Sequence, residues 1–245
     1  LFNKRKTLYN INLLKKLKRK QPIKEVIMVE GYMDTISLFQ AGFENVVASM
    51  GTSLTTEQAR LVKRYSDNGL ISYDGDFAGQ NADLRGLEIL KDEALNVRVV
   101  PMPDGLDPDD VIKKYGREGY LKLLREADTL PAFKIKVLKN DFDINTPDGK
   151  SKFTVEALKV LAKMENPVEK EEYLKVIHTI TGYSMDALRQ QVGLSERKIE
   201  EKKAEEVKVM EQEAEKKVET FDGAELFVVA SWVYGKPYIS LSDDV

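Results

Sequence analysis

Acidic residues gather at three places in a chain with few other reactive side chains. Glu30 and Asp34 lie in Val29-Glu30-Gly31-Tyr32-Met33-Asp34, and Asp74 and Asp76 in Tyr73-Asp74-Gly75-Asp76. Asp107, Asp109 and Asp110 lie in Leu106-Asp107-Pro108-Asp109-Asp110. There is no cysteine and one histidine, His178. Disulfides, thiolate metal sites and cysteine nucleophiles are therefore excluded, and a Ser-His-Asp triad has little to draw on. Chemistry here must run on carboxylates, lysines and backbone. Two carboxylates ~4 Å apart repel by about 4 kcal/mol at an effective dielectric of ~20, so converging acids either splay into water or bind a cation. Oxygen donors without His or Cys favour Mg²⁺ or Mn²⁺ over zinc. Gly75 lets the backbone turn so that Asp74 and Asp76 can face one ion. Such a site suits phosphoryl or nucleotidyl transfer, in which two metals activate the attacking oxygen and stabilise the leaving one.

Each cluster follows a short apolar run. Val26–Val29 precedes Glu30, Leu70–Tyr73 leads directly into Asp74, and Val97–Val100 precedes the Asp107 cluster, with Val46–Ser49 as a further strand candidate. Helical stretches are expected between these runs, over 33–41, from the Thr55-x-x-Gln58 capping box onward, and over 78–94. Strand and helix alternate, and the strands are apolar throughout instead of alternating in polarity. This predicts an α/β fold, a Rossmann-like parallel sheet with helices on both faces. In such a sheet the ends of the strands share one edge, where open α/β folds bind ligands. An aspartate at a strand end is also a common N-cap for the next helix, so the combination of clusters carries more than any one of them.

The chain has 245 residues, of which 42% are hydrophobic and 32% charged, and a net charge of -3. Nine Lys or Arg and no acid fall within residues 1–24, so the rest of the chain is strongly acidic. That asymmetry suits a polyanion binder with a separate acidic site, although Lys15, Lys16 and their neighbours equally fit a solvated helix packed through Leu14 and Leu17. Tyr9 is read as either a base-stacking or a core residue. After Pro108 the expected elements are helical, with Gly182 and Gly193 as stops, and 16 of the 25 residues from Ser195 to Glu219 are charged. The expected organisation is a basic linker helix (1–24), an α/β catalytic domain (25–127), a helical subdomain (128–194), a charged helical connector (195–219) and an apolar tail (220–245). No run is long and apolar enough to span a membrane, and no signal peptide follows Leu1, so a piece of a longer cytoplasmic protein is expected.

The two signatures Glu30-Gly31-Tyr32-Met33-Asp34 and Asp74-Gly75-Asp76-x-Ala78-Gly79 resemble those of a TOPRIM domain in bacterial DnaG-type primases. The loop Ala48-Ser49-Met50-Gly51-Thr52-x-Leu54-Thr55 and the motif Asp104-Gly105-x-Asp107-Pro108-Asp109 resemble further segments of these enzymes. So does Phe2-Asn3-Lys4 with Leu8-Tyr9. The resemblance implies a DNA-directed RNA polymerase that makes primers on single-stranded DNA during replication, with nucleoside triphosphates as substrates and an RNA–DNA hybrid as product. It implies that Glu30, Asp34, Asp74, Asp76, Asp107 and Asp109 hold two or more Mg²⁺ or Mn²⁺ ions. Glu30, Asp74 and Asp76 would be the catalytic residues, and Glu30 also a general acid or base. Lys4 matches a basic residue of the family's cleft, and Lys15 and Lys16 are candidate phosphate contacts. A replicative helicase is the implied partner of the full protein's C-terminal region, with residues 220–245 read as the start of that domain. No zinc site is expected within this sequence.

Other readings stay open on the residues alone. They are a different TOPRIM enzyme (a topoisomerase or nuclease), a phosphatase with Asp74 as nucleophile and Asp76 as general acid, and a non-catalytic scaffold for a helicase.

Overall fold

The computed structural model describes residues 3–50, 54–74, 81–103 and 105–219, without the side chains of 81–86 and 211–219. Strands β1 (Val26–Val29), β2 (Val46–Ala48), β3 (Asn68–Ile71) and β4 (Asn96–Val99) are parallel, in the order β2-β1-β3-β4. A two-residue strand, β5 (Asp128–Thr129), pairs antiparallel with β4. It is too short to carry a hydropathy pattern, and the sequence did not suggest it.

The strands are apolar on both faces because helices cover both. The helices of this layer are α1 (Ile11–Lys20), α2 (Tyr32–Gln40), α3 (Thr56–Lys63), α4 (Asn81–Asp92) and α5 (Pro108–Arg125). On one face Val26, Met28, Val47, Ile71 and Val97 pack with Leu14 and Leu17 of α1, Ala59 and Val62 of α3, and Leu87 and Leu90 of α4. On the other, Ile27, Val29, Val46 and Leu70 pack with Leu38 of α2 and with Val111, Tyr120 and Leu124 of α5. Alternate residues of each strand thus feed opposite cores. Ahead of α1, Tyr9 and Ala48 exchange backbone hydrogen bonds (2.9 and 3.3 Å) along the outer side of β2. The Tyr9 ring meets Tyr32 edge-on at 4.7 Å and is partly buried against the second of these cores.

Caps set the helix ends. Thr55 and Gln58 form the expected box at α3. Helix α5 is broken at Gly116, whose φ of 66° and ψ of -170° only glycine adopts readily. Three further helices, α6 (Leu130–Asp141), α7 (Pro147–Ala162) and α8 (Pro167–Thr181), bury Ile135, Phe153, Leu158, Leu161, Leu174 and Ile177. At the start of α8, Asn166 Oδ1 accepts from the N–H groups of Val168 and Glu169. Glu88 of α4 pairs with Lys134 of α6 (2.8 Å) and Lys163 beyond α7 (3.2 Å), which ties this helical group to the sheet layer.

The chain divides after Tyr183. From there α9 runs from Met185 to Glu219 without interruption, through Gly193, where the sequence reading placed a stop. A glycine costs a helix interior only about 1 kcal/mol, and Arg189–Asp186 and Lys202–Glu206 pairs at helical spacing oppose that cost. No described helix is long and apolar enough to cross a membrane.

Candidate active site

The strand order puts a switch point between β1 and β3. The chain leaves β1 for β2 on one side, then returns to β3 on the other. Ligands of open α/β sheets bind at such points, beyond the carboxyl ends of the strands. Glu30 follows β1 directly, and Asp74 follows β3 by three residues, on adjacent strands in the register Met28↔Ile71. Both therefore leave the sheet at the same edge.

The backbone there is held by extensions of the ladder. Ser49 N–H donates to the Val29 carbonyl (3.1 Å), Met50 N–H to the Glu30 carbonyl (3.0 Å), and Ser72 N–H to the Met28 carbonyl (2.9 Å). Met50, although buried, has a φ of 65°, a left-handed conformation that costs a non-glycine residue of order 1–3 kcal/mol. This strain sits beside Glu30. Glu30 itself is half-buried and Asp74 is exposed.

Asp34 is buried in the first turn of α2, where its Oδ2 accepts the Gly31 N–H (3.1 Å). A Cβ at Gly31 would come within 2.9 Å of that oxygen, so any larger residue there would push the Asp34 carboxylate aside. Burial raises the Asp34 pKa above its ordinary 3.8, and the negative charges of Asp107 and Asp74 raise it further, against the N–H groups of Gly31 and Asp109. Asp74 and Asp107, from two other segments, thus both lie near enough to act on Asp34.

Asp107 is the N-cap of α5 and accepts the Asp110 N–H at 2.7 Å. Asp109 is buried, and both its oxygens are engaged. Oδ1 accepts from the Ser37 hydroxyl of α2, and Oδ2 takes the Lys113 ammonium at 2.6 Å. Lys113 and Ser37 hold its carboxyl below the usual range. Asp109 thus fastens α5 to α2. Among the described residues no three acids stand close enough together to form a metal site, and Asp76 lies outside them.

The basic residues singled out by the sequence are exposed. Lys4 is exposed in a 3₁₀ turn, Lys4–Lys6, and Lys15 and Lys16 are exposed on α1 while Leu14 and Leu17 are buried. Several residues of this region were not apparent from the sequence. Lys113 had a readable signal, its i,i+4 spacing from Asp109. Ser37, 72 residues from Asp109, had none. Tyr120, wholly buried, donates its hydroxyl to Ser72 (2.8 Å) beneath the same edge. The acids at this edge offer oxygen donors only, a chemistry that suits Mg²⁺ or Mn²⁺ over zinc.

Residues 27–112 match the Toprim-like domain family, and residues 131–186 match the family described as the DnaB-helicase binding domain of primase. The second match falls on α6–α8. The apolar tail, where the sequence reading looked for helicase contacts, lies outside the described residues. Among curated proteins, the chain is 38% identical to a DNA primase of Clostridium acetobutylicum over 188 residues, 77% of this chain and 31% of the relative. It is 38% identical to one of Halalkalibacterium halodurans over 192 residues, 78% of this chain and 32% of the relative. The chain spans about a third of the length of these relatives. Among solved structures, it is similar to a DNA primase domain from Pseudomonas aeruginosa (TM-score 0.61, 28% identity, 78% of this chain and 60% of that one). It is also similar to a DnaG primase catalytic domain bound to single-stranded DNA (TM-score 0.62, 29% identity, 76% and 59%). With its Toprim-like sheet followed by a primase-type helical region, the chain belongs with the bacterial DnaG-type primases.

Proposed function

We propose that this chain is part of a primase, and that the carboxyl edge of its sheet joins ribonucleotides on a single-stranded DNA template in the bacterial cytoplasm. The observation that carries the reading is the gathering of like charge. Glu30 and Asp74 leave adjacent strands at one edge, and Asp74 and Asp107 both act on the buried Asp34, a crowding of like charge that a cation would relieve. The primase relatives support the same chemistry.

In this reading a primer 3′-hydroxyl attacks the α-phosphorus of a nucleoside triphosphate, and pyrophosphate leaves. Bound Mg²⁺ or Mn²⁺ would make the hydroxyl more acidic and neutralise the departing pyrophosphate. Glu30, Asp74 and Asp107, with Asp76 from beyond the described residues, are the proposed ligands. Asp34 and Asp109, also expected as ligands, have structural work in this fold. Asp34 closes the turn into α2 and adds its charge to the site, and Asp109 locks α2 to α5. Lys4 and the α1 lysines Lys15 and Lys16 would attract the phosphates of template, substrate and the nascent hybrid. Helices α6–α8 would carry the contact to a replicative helicase, as the description of the matched family suggests.

Calorimetry of Mn²⁺ binding, with and without a nucleoside triphosphate, tests the assignment. Asp74→Asn or Glu30→Gln should weaken metal uptake at least about tenfold, and Asp186→Asn on α9 should leave it unchanged. Equal affinity in all three variants contradicts the proposed ligands.

A further inference from the structure

Gln58 is completely buried, and both ends of its amide are in use. Its Oε1 accepts the Thr55 N–H (3.2 Å), while Thr55 Oγ1 accepts the Gln58 N–H (3.2 Å), which completes the capping box of α3. Its Nε2 points elsewhere. That group donates to the carbonyls of Lys4 and Thr7, both at 3.0 Å, with the Ser49 carbonyl at 3.5 Å. The Thr55 hydroxyl adds a bond to the Arg5 carbonyl at 2.6 Å.

A capping box needs only an acceptor at its third helical position, and glutamate serves there as well as glutamine. Glutamate would also suit the positive end of the helix better. What glutamate lacks is the N–H₂ group, and here that group holds the 3₁₀ turn. The turn carries Lys4, Arg5 and Lys6, all exposed. On its other side Gln58 reaches Ser49, the residue before Met50, whose N–H is bonded to the Glu30 carbonyl. A single side chain therefore separates the backbone of the cationic turn from the strand extension that seats Glu30.

We propose that Gln58 is a positioning residue, which docks the Lys4–Lys6 turn beside the carboxylate edge so that its cations receive the phosphates of a single-stranded DNA template. This rests on the proposed primase reading, which brings a template to this edge.

Two variants test it. Gln58→Glu keeps the cap acceptor and loses the donors, and Gln58→Met keeps the volume without a buried charge. Hydrogen exchange at the Arg5 and Lys6 amides should accelerate on the order of tenfold in both, while Ile27 and Ser72 in the sheet stay protected. Affinity for an oligothymidylate, followed by fluorescence anisotropy, should fall, and its log–log salt slope should flatten by about 1 for each phosphate that the turn no longer neutralises. Mn²⁺ uptake should match the parent. Unchanged exchange at Arg5 and Lys6 overturns the tether. Faster exchange with unchanged oligonucleotide affinity and salt slope overturns the positioning role. If Gln58→Glu loses protection throughout the sheet, Gln58→Met carries the decision. A parent chain that takes up no Mn²⁺ sinks the proposed function instead, and the exchange at Arg5 and Lys6 still decides whether Gln58 holds the turn.

Discussion

Asp34 lies in the first turn of α2, accepts the Gly31 N–H and faces the charges of Asp107 and Asp74. Its pKa is raised in the folded chain, so the folded state holds an extra proton from about the ordinary value of 3.8 upward. Stability therefore falls as pH rises through that window, and stays lowered above it. Asp34→Asn keeps an acceptor for Gly31 and removes the charge. In metal-free buffer this variant should melt higher than the parent at pH 7, and the gain should vanish below the ordinary carboxylate pKa. A variant that melts lower than the parent at pH 7 would contradict this account of the site's field. Asp109 has the opposite sign. Its lowered pKa stabilises the fold above the ordinary 3.8 and is lost as acid titrates it, so the α2–α5 junction should be acid-sensitive. In Asp109→Asn, with the Lys113 pair gone and the Ser37 bond weakened, urea unfolding should report a loss of about 1–3 kcal/mol at neutral pH.

At the level of elements, two glycines of similar appearance in the sequence should respond in opposite directions to alanine. Gly116 breaks α5 with a positive φ, and a Cβ there would meet nothing within 4 Å, so the cost of Gly116→Ala is purely conformational. It should destabilise by about 1–3 kcal/mol. Gly193 lies within α9 and also has open space around it, so Gly193→Ala should stabilise by about 0.5–1 kcal/mol. Thermal melts followed by circular dichroism distinguish the two. The same pair marks the limit of what the sequence carried. Apolar runs and cap residues announced β1 to β4 and most helices, because burial on both faces and unsatisfied helix ends leave local signatures. Whether a glycine ends a helix depends on its φ, which the sequence does not hold. The site divides in the same way. That acids cluster at strand ends was legible, since parallel strands share an edge. That Asp109 spends its oxygens on Ser37 and Lys113 was not, because that partnership forms only when α2 and α5 pack together.

For the whole molecule, the first residues do more than supply positive charge. β2 is an outer strand of the sheet, and Tyr9 occupies the N–H and carbonyl of Ala48 along its open side. Bare strand edges recruit other strands, a liability that folded proteins suppress by covering them. The segment ahead of α1 is therefore expected to limit edge-to-edge association. A chain trimmed to begin at Asn10 should keep its helical circular dichroism yet sediment as larger species with rising concentration, while the untrimmed chain does not. If both sediment alike, the segment plays no such part. If the trimmed form does associate, cutting the chain between Tyr9 and α1 for crystallisation or assay would exchange a tidy boundary for a sticky one.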